Sequence, residues 1–282
     1  QKMSARAWAG TPEDAEIVEV DGVRLAVARS GQGPAVICLH AIGHGARDFE
    51  RFAKLAGRDF EIIRIDWPGQ GRSGPDKEPA SAARYAELLS GVIEKLRIER
   101  PILLGCSVGG AAALIYAASA PGKVRGLVAC SPGGLMEIDA KARKAIGFMV
   151  KFFSAGERGA RWFAPAFRAY YRFLVLPKRP AAAQRRRIVA AGYETAPVLR
   201  AAWESFAAPE ADIRPLALSL DIPVWFAWAK GDRIVVLKAS LPVIKQMKNA
   251  ALTTFPGGHA PFLERPKAFA KAFTAFAKTL PA

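Results

Sequence analysis

Apolar residues come in short runs over the first 130 positions, each closed by glycine, proline or a polar turn residue. Residues 16–20 and 23–29 read as two strands around Asp21-Gly22, a hairpin signal. Residues 35–39 form a short continuous apolar run, the mark of a strand buried on both faces. Residues 60–65, 101–106 and 124–130 repeat that pattern. Between them the period changes. Tyr85, Leu88, Leu89, Val92, Ile93 and Leu96 recur at helical spacing over 81–96, and residues 47–55 read as a shorter helix. Strands alternating with helices predict parallel β-α-β units and a sheet covered on both faces. The alternation stops near residue 135. From there to 211 the chain is helix-like and aromatic, with no good strand. Strand and helix resume at 224–229, 237–247, 252–255 and 261–280. The pattern divides the chain into an α/β core, residues 1–134 and 212–282, and a helical insertion, residues 135–211.

Composition changes this picture in three places. The 282 residues are 51% apolar and 23% charged, an ordinary globular balance. No apolar run approaches the roughly 18 residues of a spanning helix, and residues 1–10 lack the apolar core of a signal peptide, so the expected location is cytoplasmic. Gln1 is compatible with a processed terminus or with tag residues before Met3. Cys38, Cys106 and Cys130 each fall in or at the end of an apolar strand and read as buried free thiols. The net charge of +16 is concentrated: residues 141–187 hold thirteen Lys/Arg and one acid, Glu157, a net +12. That segment is either a solvated face or a surface for an anionic substrate, an acyl carrier protein or a lipid headgroup. Nucleic acid is not expected, since no helix-turn-helix, zinc or RNA-binding motif accompanies the charge.

The chemistry centres on Gly105-Cys106-Ser107-Val108-Gly109, which follows an apolar strand and opens a small-residue helix. Gly-x-Ser-x-Gly between strand and helix is the nucleophile-elbow pattern. A serine hydroxyl needs a base to take its proton, and histidine is the usual one. Only three histidines exist. His40 ends a strand, His44 lies in the glycine-rich loop after it, and His259 lies in a flexible loop, Pro256-Gly257-Gly258-His259-Ala260-Pro261. His259 is the favoured base, with His44 as the alternative. An imidazole base needs an orienting carboxylate. Asp232 follows the strand at 224–229, where open α/β sheets gather their ligands, while Glu137 and Asp139 are alternative acids. Backbone donors for an oxyanion are expected from Val108, which starts the helix after the elbow, and from Ile42 in the loop after Leu39.

Five pieces together resemble the α/β-hydrolase superfamily over nearly the whole chain: Leu39-His40-Ala41-Ile42-Gly43, the glycine-rich loop at 66–74, Gly105 to Gly110, Gly231-Asp232-Arg233-Ile234-Val235, and Gly258-His259-Ala260-Pro261-Phe262. The resemblance implies an eight-stranded, mostly parallel sheet with a helical cap inserted after the sixth strand, and the chain order Ser107, Asp232, His259. Ala41 departs from the pattern, since many relatives carry glycine there. Epoxide hydrolases and haloalkane dehalogenases of this fold use an aspartate where this chain has Ser107. Among relatives, the cap-bearing carboxylesterases and the carbon–carbon bond hydrolases of meta-cleavage pathways are most similar. The run His259-Ala260-Pro261-Phe262 also resembles pimeloyl-carrier-protein methyl ester esterases and cofactor-free haloperoxidases.

These residues predict a serine hydrolase acting on a small-molecule carboxylic ester. The alternatives are a carbon–carbon bond hydrolase or thioesterase with the same three groups, or a non-catalytic ligand-binding protein of this fold. Neither a metal nor an organic cofactor is expected, because the histidines and cysteines show no metal-ligand spacing. The aromatics at 148–173 either line an apolar acyl pocket or pack the insertion onto the core. Arg185-Arg186-Arg187 reads as a solvated helix face.

Overall fold

A computed structural model describes residues 4–281. The strands are β1 (Glu16–Val20), β2 (Val23–Gly31), β3 (Ala35–Leu39), β4 (Glu61–Ile65), β5 (Ile102–Cys106), β6 (Gly126–Cys130), β7 (Val224–Ala229) and β8 (Ala250–Phe255). They form one eight-stranded sheet in the order β1-β2-β4-β3-β5-β6-β7-β8. Pairing is antiparallel for β1 with β2 and β2 with β4, and parallel elsewhere. The expected mostly parallel sheet is therefore the observed one. Every residue of β5, β6 and β7 is buried, as central parallel strands require when helices cover both faces. Edge strand β1 instead alternates toward its end, with Val18 and Val20 inward.

The α-helices are α1 (Ala5–Gly10), α2 (Glu50–Ala56), α3 (Ala82–Lys95), α4 (Val108–Ser119), α5 (Ala140–Glu157), α6 (Phe163–Tyr170), α7 (Ala182–Ala190), α8 (Gly192–Ser205), α9 (Arg214–Leu218), α10 (Leu237–Ile244), α11 (Pro261–Glu264) and α12 (Pro266–Ala277). In α3 the predicted apolar face is the buried one from Tyr85 to Ile93, and Ser81 caps the helix by accepting from the Arg84 amide at 3.1 Å. Several predicted boundaries differ. The helix read at 47–55 begins as a 3₁₀ turn, Ala46–Phe49, before α2. The element read at 261–280 breaks at Arg265, because Pro266 has no N–H to continue α11. Between β6 and β7 the described chain is helical, α5 to α9, with a π-helical turn at Tyr171–Val175. Phe153, Phe163 and Phe167 are fully buried there and pack ring to ring, at 5.1 Å for Phe163–Phe167. Phe148, Trp162 and Phe173 remain exposed. No helix among the described residues is long and apolar enough to cross a membrane.

Parallel register fixes where function can gather. Leu39 pairs with Gly105, Cys106 with Cys130, and Ala229 with Phe255. The C-terminal ends of five neighbouring strands thus lie in line. The loops carrying His40–His44, Ser107, Asp232 and His259 all leave from that edge.

Candidate active site

Ser107 lies between β5 and α4 at φ +53°, ψ −118°, outside the regions L-residues prefer. The turn is held by the Ser107 amide, which donates to the Cys130 carbonyl at 3.0 Å, and by the close passage of strand and helix. A Cβ on Gly105 would lie 2.3 Å from the Gly109 carbonyl oxygen, and one on Gly109 would lie 2.4 Å from the Leu39 carbonyl oxygen. Only glycine lets the backbones approach this closely. Ser107 is 8% exposed.

His259 sits in the loop between β8 and α11 and is 3% exposed. Its Nδ1 lies 2.8 Å from Asp232 Oδ2. The other Asp232 oxygen accepts from the amides of Ile234 at 2.8 Å and Val235 at 2.9 Å. Asp232 is therefore fixed by its own turn before it meets the imidazole. Burial works against the charged imidazolium, but the Asp232 charge and hydrogen bond outweigh it and hold the His259 pKa above its ordinary value.

Two backbone amides border the same space. Val108 is the first residue of α4, so its N–H has no intrahelical acceptor. Ile42 lies in a turn closed by the His44 amide on the Ala41 carbonyl at 3.2 Å. The neighbouring Gly43 amide is taken by Gln70 Oε1 at 2.6 Å. Ala41 has no positive φ, so its methyl is tolerated in the turn.

The remaining histidines differ from each other. His40 is a core residue with both nitrogens occupied: Nδ1 meets the Ala41 carbonyl at 2.7 Å, and Nε2 accepts from the Trp67 amide at 3.0 Å. Burial pushes its pKa down to about 4. His44 pairs through Nδ1 with Asp48 Oδ2 at 2.6 Å. The alternative acid Asp139 caps α5, accepting from the Ala142 amide at 2.7 Å. His259 meets Asp232, not Asp139.

Ser107, Val108, Ile42, His44 and His259 all line one cavity of about 930 Å³. Its walls are mostly apolar and come from both core and insertion, among them Met149, Tyr170, Val175, Leu199 and Trp203. Lys141, Lys144, Phe148 and Arg233 line it from exposed positions and form its rim. The aromatic insertion thus divides its labour, some rings packing and others lining.

One buried acid escaped sequence reasoning. Glu264 is fully buried in α11, and its Oε2 accepts from the Gly258 amide at 2.7 Å and the His259 amide at 3.2 Å. Its Oε1 accepts from the Lys178 amide at 3.2 Å, tying the His259 loop to the insertion. Burial raises its pKa, opposed by these backbone donors. Nothing in Phe262-Leu263-Glu264-Arg265 distinguishes it from an exposed helical glutamate. Arg185 and Arg187 also differ from the solvated face expected of them. Arg185 donates to the Leu176 carbonyl, and the Arg187 guanidinium stacks 5.8 Å from the Trp8 ring.

Comparison with known proteins finds relatives in sequence and in fold. The first curated relatives matched, uncharacterised mycobacterial proteins including one of Mycobacterium tuberculosis, are 34% identical over 125 residues, 44% of this chain. The chain spans only 36% of their length. The pimeloyl-[acyl-carrier protein] methyl ester esterase of Chromobacterium violaceum is 29% identical over 91% of this chain and 99% of its own. A thermophilic esterase from Thermogutta terrifontis shares the fold with a TM-score of 0.77 at 19% identity, over 94% of this chain and 98% of that one. The model of the alpha/beta hydrolase family matches residues 36–272, most of the sheet and all of the cavity's strand-end loops, and the chain belongs to that family.

Proposed function

We propose that the protein hydrolyses carboxylic esters, with Ser107 as nucleophile, His259 as base and Asp232 as its orienting acid. Ser107 Oγ attacks the ester carbonyl while His259 Nε2 takes its proton. The Val108 and Ile42 amides receive the oxyanion. His259 returns the proton to the leaving alcohol, leaving an acyl-enzyme that water resolves by the same route. The observation that carries this reading is the 2.8 Å His259–Asp232 contact opening onto the cavity that also holds Ser107 on its strained turn.

The helical insertion then acts as a cap, its apolar lining receiving the acyl chain. The Lys141, Lys144 and Arg233 rim supports a substrate whose outer part is anionic, or an acyl group delivered by an acidic carrier.

The test is labelling with a fluorophosphonate together with turnover of a carboxylic ester series, in wild type and Ser107→Ala. Stoichiometric labelling at Ser107, and turnover that falls by about 10⁴-fold or more in the variant, are expected. Turnover that survives Ser107→Ala, or no ester hydrolysis by an enzyme that folds normally, overturns the proposal.

A further inference from the structure

A second imidazole–carboxylate pair opens onto the same cavity. His44 and Asp48 are 2% and 1% exposed, with Nδ1 and Oδ2 at 2.6 Å. The other Asp48 oxygen accepts from Gln184 Nε2 in α7 at 2.9 Å. The Tyr171 ring lies 5.5 Å from the imidazole. Core and insertion therefore build this pair jointly. With both Asp48 oxygens accepting, the carboxylate is the acceptor and His44 Nδ1 carries the proton. In the neutral ring that leaves Nε2 as a lone-pair acceptor.

The contrast with His40 shows what His44 is not. A histidine used only for packing has both nitrogens occupied, as His40 does. His44 has one nitrogen held. His44 Nδ1–Asp48 is the side-chain hydrogen bond of this ring among the described residues, and Nε2 is not one of the sealed, unpartnered side-chain atoms, so it keeps access to the cavity that the residue lines beside Ser107 and His259. It follows Ile42 by two residues in one turn, and both residues line that cavity.

We propose that His44 determines specificity, its Nε2 accepting a hydrogen bond from a hydroxyl on the acyl part of the substrate, one or two carbons from the scissile carbonyl. The preferred substrates are then esters of hydroxy acids. A plain acyl chain leaves a desolvated acceptor unpaired, and sites built to bond a hydroxyl discriminate against analogues that lack it. This inference rests on the ester-hydrolase reading above.

The experiment compares kcat/KM for the ethyl esters of butanoic, 2-hydroxybutanoic and 3-hydroxybutanoic acids in the full chain. Wild type is expected to prefer one hydroxy ester by at least about tenfold. In His44→Phe, which keeps a ring against Tyr171, that ratio collapses to within about twofold of unity. In His44→Gln, whose amide oxygen reaches the Nε2 position, part of it returns. If the bare Asp48 charge unfolds His44→Phe, the double variant His44→Phe/Asp48→Asn carries the same comparison without a buried charge. No preference in wild type, or a preference that survives loss of the imidazole, overturns the role of His44. Plain-ester turnover with Ser107 labelling but no hydroxyl preference overturns this inference alone. Absence of both overturns the ester reading and this inference together.

Discussion

Ser107 carries a conformation that costs on the order of 1–3 kcal/mol, and the chain retains it because Gly105 and Gly109 let strand and helix close around it. His259 is tuned rather than strained. Its pKa is held above the ordinary value by Asp232. A base must be neutral to act, so ester turnover is expected to fall as pH drops through that raised pKa. Asp232→Asn removes the opposing charge and leaves burial, which acts in the other direction. The acid limb of kcat/KM should then move to lower pH, while kcat drops by about 10⁴-fold through loss of tautomer and orientation. A pH–rate profile of both proteins checks this, and an unmoved limb would remove His259 from the base role. Stability follows the same linkage. The attraction between His259 and Asp232 stabilises the fold below the unfolded imidazole's pKa and is lost as pH rises through the folded one.

Elements decide which acid is free for chemistry. Asp139 satisfies an N-terminal amide of α5, and this local task is the reason the helix starts there. Asp139→Ala is expected to cost about 1 kcal/mol of stability, read by urea unfolding, without moving the pH profile of turnover. A shifted profile would return Asp139 to the list of orienting acids. Loop elements show the reverse dependence. The His259 loop has little structure of its own. It is shaped by Glu264 from α11, which also holds Lys178 of the insertion. Closing of the insertion and placing of the imidazole therefore share one buried carboxylate.

At the scale of the whole molecule, the insertion turns a strand-end cleft into a chamber of about 930 Å³, larger than a short ester needs. Each added acyl methylene that leaves water contributes about 0.8 kcal/mol, so kcat/KM should rise up to about fourfold per carbon until the chamber fills. A series of ethyl esters from acetate to decanoate measures this, and a flat series would mean that the acyl chain lies outside the chamber. The basic rim belongs to the same scale. For esters with an anionic outer group, KM should rise with ionic strength, whereas neutral esters should be indifferent.

The sequence by itself determined the alternation of buried strands and amphipathic helices, because apolar period is a local property set by backbone geometry. It also marked the Ser107 turn, since the glycines required there are local steric necessities, and it ordered Ser107, Asp232 and His259 along the chain. The break at Pro266 is local as well, set by the proline's missing N–H, but the apolar period runs across it and so does not show it. Only the tertiary structure decided what meets what. Asp48 and Gln184 stand 136 positions apart, and no pattern on either side announces their contact. Phe153, Tyr170 and Trp203 are alike as aromatic letters, yet one is sealed in packing and the other two face the cavity. Glu264 would pass for a surface residue in a string of letters, and His44, legible as a candidate base, carries no sign of its pairing with Asp48. Their burial comes from parallel register, which lines up five strand ends, and from the insertion folding down over them. Long-range packing of that kind leaves no period to read.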